Sequence, residues 1–466
     1  MDKLYPDLVL LAQPERRAIC CLCVESAGKN IEGLLNRKPF SRYDENGLTV
    51  LLYDEAQSET WRAETERILR ENGLCAGLSG PFALAASARG CLPKARLALE
   101  TGRRVDPGRA LYDMGTYSEA ALLRAAGAAL EAQGFCAEDF CDAAIESLAR
   151  LDEREEAQYI RSLRAYLSDG LNSRRAAERL GVHRNTLAYR MRRIEERFAL
   201  DLSDMNICFE LLFSLWLKEG IGGRTDAEPT AAFDRARAGA ALWRAAERAG
   251  GVESGGERFA MALAAVGTNG LSDAKRAELT LALGALPQEP VTAFDDETLF
   301  FALPPENIGA FAKAAGPLCE AAHAGMAVSQ AFASDRLSAQ IRLCRFALLA
   351  AGTQTVFMRE IGSTLFFMAL ERKLSLEPYL CEDVIRVMDE DATRGSALSR
   401  SLYAYLLNFM DLKKAAQQLG IHRNTLEYQV RKMNAVIGGQ PDGQKRFMMM
   451  CTYKMLALPD AGVFDL

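Results

Sequence analysis

The stretch AAERLGVHRNTLAYRM at residues 176–191 returns as AAQQLGIHRNTLEYQV at residues 415–430, with ten of sixteen positions identical. Val182/Ile421 and Met191/Val430 are apolar exchanges within it. An internal repeat sets the architecture and is therefore followed outward before any other reading. At the same offset of 239 residues, SLRAYL (162–167) faces SLYAYL (401–406) and Asp152 faces Asp391. Further upstream the offset drifts to about 250, where AGLSGPFA (76–83) resembles MAVSQAFA (326–333) and YDENGLTVLLYDE (43–55) resembles FDDETLFFALPPE (294–306). The chain reads as a tandem duplication, its seam in EGIGGRTDAEPT (219–230), where glycines, a proline and charges replace apolar periodicity.

Within each copy, short β-type runs mixed with helical patterns precede a stretch that is helical throughout, which gives the fold class α+β followed by all-α, twice. The strand runs of the first copy are Ala18–Val24, Leu48–Tyr53 and Cys75–Ser79, with helices at about Glu59–Glu71 and Pro93–Thr101. The second copy offers Phe259–Val266, Thr298–Leu303 and Met326–Ser329 in matching places. Five segments follow: α+β domains at 1–115 and 251–360, helical domains at 116–220 and 361–466, and a linker at 221–250. Ala231–Gly250 in that linker reads as an extra amphipathic helix.

Punctuation marks off three helices around the repeated stretch. One ends near Leu167; a second runs from Ser173, a good N-cap, to Leu180; Gly181 then permits a sharp turn and His183 opens a third. Two short helices joined by a glycine-containing turn of three or four residues are the helix-turn-helix signature. Leu187, Met191, Ile194 and Phe198 make the core stripe of the third helix, and Leu426, Val430, Met433 and Ile437 make it in the second copy.

The remaining faces carry Arg184, Asn185, Thr186, Tyr189, Arg190, Arg192 and Arg193, and in the second copy Arg423, Asn424, Thr425, Tyr428, Arg431 and Lys432. Arginine can donate two hydrogen bonds to guanine and asparagine can pair bidentately with adenine, while further cations hold phosphates. These residues are therefore the expected contacts to double-stranded DNA. Thr186 and Thr425 either touch phosphate or bond within the helix, and His183 and His422 cap it or contact phosphate rather than bind metal. Charge supports the reading: residues 160–200 sum to +6 and residues 399–439 to +4, within a chain of net charge −6.

These motifs resemble a known family. AAxxLGVHRNTLxYRMxRIEE, preceded by LRAYL and an aspartate some ten residues earlier, is similar to the C-terminal helix-turn-helix domain of PucR/CdaR-type bacterial transcriptional regulators, itself akin to the Fis-type fold. GLSGPF followed by KARLALETG resembles the degenerate GGDEF-like domain that precedes the reader in those proteins. The resemblance implies a regulator of genes for uptake or catabolism of small metabolites, answering to a small-molecule effector. No separate sensory domain is read ahead of the first copy. Two recognition helices on one chain are expected to act as an intramolecular pseudo-dimer, with further homo-oligomerisation left open. Gln429 for Arg190, and Lys432–Met433–Asn434 for Arg193–Ile194–Glu195, point to a second copy with different base preferences or a mainly structural role.

A composition of 49% hydrophobic and 25% charged residues excludes a disordered or fibrous chain. No apolar run approaches the ~18 residues of a membrane span and the first residues form no leader, so a cytoplasmic protein is expected. Most of the twelve cysteines sit among Ala, Leu, Ile and Phe, where a free thiol behaves as a small hydrophobe, and the three histidines are scattered, so no metal, cofactor or catalytic residue is expected. Two other readings stay open: a protein-interaction scaffold that has lost DNA binding, and a nucleotide cyclase. The cyclase needs carboxylates and a glycine turn at the triphosphate; YDENGL (43–48) and FDDETL (294–299) lack the paired glycines, so Asp44, Glu45, Asp295 and Asp296 read as solvated hairpin acids.

Overall fold

The run ICCLCVE forms β1 (Ile19–Glu25), the central strand of a five-stranded sheet, because its side chains are apolar on both faces. Alternation sends Cys20, Leu22 and Val24 into one cluster with Leu51, Tyr53 and Leu78, and Cys21 and Cys23 into another with Val50, Leu52, Leu92 and Ala95. Around it lie β2 (Ser41–Glu45), β3 (Leu48–Tyr53), β4 (Ala76–Phe82) and β5 (Leu111–Asp113), in the order β2-β3-β1-β4-β5. Only the β4–β5 pair is parallel. Helix Glu59–Glu71 matches its expected bounds, and helix Cys91–Val105 is longer at both ends than the expected Pro93–Thr101.

These coordinates come from a computed structural model that describes residues 19–221 and 258–458, apart from short stretches at 26–28, 36–38, 40, 46, 54–58, 83–90, 156–157, 267–272, 289, 295–297, 334–336 and 353. The second sheet contains β6 (Arg258–Val266), β7 (Val291–Phe294), β8 (Thr298–Leu303), β9 (Ala324–Val328) and β11 (Thr355–Phe357), in the order β7-β8-β6-β9-β11. This is the order of the first sheet with the same closing parallel pair, and a short β10 (Phe332–Ala333) adds to β6. Leu299, Phe301, Leu303, Phe311 and Met326 fill its core. The acidic residues Asp295 and Asp296, and the expected helix at Ala231–Gly250, lie outside the described residues.

Chain order does not dictate which halves pack together. One compact unit is residues 1–126 with 373–466; the other is 127–372. The first sheet therefore shares its unit with helices Glu382–Arg394, Leu398–Leu407, Leu412–Leu419, Arg423–Val436 and Gly443–Leu456. The second sheet shares its unit with Ala143–Glu155, Tyr159–Ser168, Ser173–Leu180, Arg184–Phe198 and Met205–Gly220. Each unit unites the sheet from one half of the chain with the helical bundle from the other half. No helix among the described residues is long and apolar enough to cross a membrane.

Candidate nucleic-acid interface

Each bundle builds its helix-turn-helix from the same local devices. The helix before the motif is tied down from a distance: Asp152 accepts from the Tyr159 and Ile160 amides at 2.6 and 2.9 Å, and Asp391 accepts from those of Leu398 and Ser399 at 2.7 Å each. The first helix of the motif is capped by Asn172, whose Oδ1 accepts from the Arg174 and Arg175 amides at 3.1 Å. Ser173, expected as the cap, is instead the first helical residue. Both residues are good caps, and the backbone placed the boundary one position earlier. Asp411 caps the second copy the same way, to Lys413 and Lys414 at 2.8 and 3.0 Å.

The turn follows from one glycine in each copy. Gly181 has φ +68° and Gly420 φ +66°, the left-handed conformation that ends a helix, and the next amide reaches back to the helix, Val182 to Ala177 O at 3.0 Å and Ile421 to Ala416 O at 3.1 Å. His183 and His422 then cap the recognition helices, each Nδ1 accepting the amide two residues on at 3.2 Å. That bond makes Nδ1 an acceptor, leaving Nε2 as the donor on an exposed ring. The buried alanine pairs Ala176/Ala177 and Ala415/Ala416 and the fully buried Leu187 and Leu426 let the helices close.

Opposite the core, Arg184, Asn185, Thr186, Tyr189, Arg192 and Arg193 are exposed, as are Arg423, Asn424, Thr425, Tyr428 and Arg431. Lys432 is half-buried. The two tyrosines are more than half exposed, at 56% and 60%, and each carries a cation four residues on: Arg193 lies 5.8 Å over Tyr189 and Lys432 5.7 Å over Tyr428. Arg431 pairs with Glu427, whose carboxyl it holds below the usual range through a hydrogen bond at 2.8 Å. The equivalent residue in the first copy is Ala188, so that recognition helix presents its cations without an acidic neighbour at this position.

Arg190 is placed differently from the expected outward contact. It is half-buried and its Nη1 donates to Ser162 Oγ at 2.8 Å on the preceding helix; Ser401 Oγ donates to Gln429 Oε1 at 2.9 Å in the second copy. Both side chains brace the motif from the edge of its core. The sequence reading also passed over four exposed cations, Arg174, Arg175, Lys413 and Lys414, which open the first helix of each motif. Their signal was the pair of cations two and three residues after each cap. The first helix of such motifs crosses the DNA backbone.

Asp44 in the YDENGL hairpin accepts from Thr49 Oγ1 at 2.7 Å and pairs with Arg42 at 3.3 Å, so it serves the hairpin. No cluster of three or more His, Cys, Asp or Glu placed to hold a metal occurs among the described residues.

Residues 159–217 and 398–451 each match the PucR C-terminal helix-turn-helix domain. The Proline-responsive transcriptional activator PutR of Bacillus subtilis (strain 168) is 36% identical over 66 residues, which are 14% of this chain and 16% of that protein. This chain thus matches only about a sixth of that relative's length. A solved structure, the Regulator of Polyketide Synthase Expression from Bifidobacterium adolescentis, aligns with 51% of this chain and 94% of its own at 14% identity, with a TM-score of 0.24.

Proposed function

With the PucR C-terminal helix-turn-helix domain carried twice as the premise, we propose that this protein is a transcriptional regulator whose single chain presents two DNA readers as an intramolecular pseudo-dimer. The observation that supports the reading is the twice-built motif with its exposed Arg184, Asn185, Arg192 and Arg193, and Arg423, Asn424 and Arg431, on a locally basic segment of an acidic chain. The genes it controls would serve uptake or catabolism of a small metabolite, and the α+β halves, which arose with the readers by duplication of one unit, would carry the effector response. The two readers differ, so the operator is an imperfect inverted repeat whose half-sites lie about one helical turn apart, roughly ten base pairs.

Footprinting and gel shifts with the intact protein test this. Arg192→Ala with Arg193→Ala weakens binding to all sequences and flattens its dependence on salt, because phosphate contacts release counterions. Arg423→Ala with Asn424→Ala shortens the footprint by one half-site. A chain that protects one half-site, and whose affinity ignores both pairs of substitutions, is not a two-reader regulator.

A further inference from the structure

Each unit contains its own version of the same joint between sheet and bundle. In each, a serine within or directly after a strand next to the central one donates its Oγ hydrogen to the carbonyl of the next residue, Ser79 in β4 to Gly80 O at 2.7 Å and Ser329 after β9 to Gln330 O at 2.9 Å. Gly80 and Gln330 are thus equivalent positions. Each faces the first residue of a thirteen-residue helix that opens a bundle: Glu382 of Glu382–Arg394 in one unit, Ala143 of Ala143–Glu155 in the other. Glu382 and Ala143 are equivalent in turn, both nine residues ahead of the capping aspartates Asp391 and Asp152.

The occupants of the joint are exchanged between the units. Where the strand has glycine, the helix supplies the side chain: a Cβ on Gly80, held at φ +80°, would overlap the Glu382 carboxylate. Where the helix has alanine, the strand supplies it: Gln330 Oε1 accepts from the Ala143 amide at 2.7 Å and its Nε2 donates to Cys141 O at 3.3 Å. One space is filled once in each unit, from opposite sides. Lys94, donating to Leu380 O at 3.3 Å, lies beside the Glu382 side of the joint.

We propose that Gly80/Glu382 and Gln330/Ala143 are matched pairs that select which helical bundle each sheet accepts, so that each sheet takes the bundle of the opposite copy. Pairing each sheet with its own bundle would put Gly80 against Ala143, leaving a void and an uncapped helix amide. It would also drive Gln330 and Glu382 into one space. A void and an overfilled site both cost stability, so the mismatch acts twice against the uncrossed arrangement. The partner that each sheet surface fits is thereby the bundle of the opposite copy, and the rest of the joint need not differ between copies.

A double-mutant cycle on the full chain tests the selection. Ala143→Glu places a second side chain opposite Gln330 and lowers the unfolding midpoint by roughly 2–6 °C. Adding Gln330→Gly recreates the Gly80/Glu382 solution and recovers at least half of that loss, although Gln330→Gly alone is also destabilising. Should Ala143→Glu prevent folding outright, a folded double variant with a cooperative transition is the recovery. Additive effects of the two substitutions overturn the proposal. So does a rise in the unfolding midpoint when Glu382→Ala is made in the otherwise wild-type chain, which is the signature of Gln330 and Glu382 sharing one space in the uncrossed pairing.

Discussion

Arg190 and Gln429 hold the same place in the two recognition helices, and both turn back to a serine of the preceding helix. A helical wheel puts this position outside the Leu187–Met191–Ile194 stripe and so among the outward residues. The long side chain then reaches the neighbouring helix across the edge of the core, which periodicity cannot report. Substitution separates the roles: Arg190→Ala lowers the unfolding midpoint while leaving base discrimination intact, whereas Asn185→Ala relaxes discrimination at one base pair by about 1–3 kcal/mol. Gel shifts on an operator and its single-base variants, beside thermal melts, read both. Two carboxyls give opposite dependences on pH. At Asp391 burial works against the charge, but donors from Ser396, Ser399 and Leu398 outweigh it and hold the carboxyl below the usual range. Its folded pKa lies below the unfolded value, so its contribution is present above roughly pH 4 and is lost on acidification; Asp391→Asn removes that acid-side loss. At Glu382 burial dominates, Arg386 and Lys94 oppose it, and Asp113 and Asp383 add to it, pushing the carboxyl up to about 7. Its contribution is full below the ordinary glutamate value of roughly 4.3 and falls away as the pH rises through 7. Glu382→Gln, which keeps the shape and stays neutral, flattens the decline in midpoint between pH 5 and 8; an unchanged slope in melts across that range would show that Glu382 does not titrate there.

At the level of elements, the strands that matched expectation are apolar runs buried on both faces, residues 50–52 in one and 299–303 in the other. Leu48–Tyr53 and Thr298–Leu303 have the expected bounds for that reason. Ends were less legible. β4 continues from the expected Ser79 to Phe82, through a proline, because β1 still pairs with Pro81 and Phe82 there. The helix-turn-helix was legible because its parts are local: a cap, a glycine turn, a second cap and a core stripe within about twenty-five residues. Each cap also sets the stability of its own reader. Removing the Asn172 side chain leaves the Arg174 and Arg175 amides without their acceptor and costs about 0.5–2 kcal/mol, typically near 1. Asn172→Ala is expected to weaken protection of one half-site and Asp411→Ala that of the other, each with the second half-site preserved. Equal loss at both half-sites from either variant would mean that the two readers do not fold or bind separately.

For the molecule as a whole, the crossed assembly was not legible, since the two halves of the chain offer sheets of the same strand order and bundles with the same helix-turn-helix, and the choice rests on exchanges such as Gly80 for Gln330. It has a direct physical consequence for a break in the chain. Residues 1–126 belong to one unit and residues 127–221 to the other; from the second half, residues 373–466 belong to the first of these and residues 258–372 to the second. A cut placed between 222 and 257 therefore yields two fragments that each own part of both units. In the 127–372 unit the fragments share a dense aromatic core: Phe140 and Phe366 rings stand 5.6 Å apart, Phe213 stands 5.3 Å from Phe366 and 5.9 Å from Phe367, and Trp216 closes on Phe366 at 6.4 Å. Glu210, almost fully buried, accepts from the Ser363 amide and hydroxyl at 2.8 and 2.6 Å, a pair that neither fragment satisfies alone. Separation would expose those rings and leave the carboxylate without its donors, a cost well above that of parting two consecutive domains joined by a polar interface. A protease site inserted in 222–257 and cleaved to completion is thus expected to leave both fragments co-eluting at the size of the intact chain in native buffer, parting only in denaturant. Phe366→Ala, which thins the shared core, lowers the denaturant concentration at which they part. Fragments that elute separately without denaturant would mean that each half closes on itself and that the crossed packing is not the state in solution.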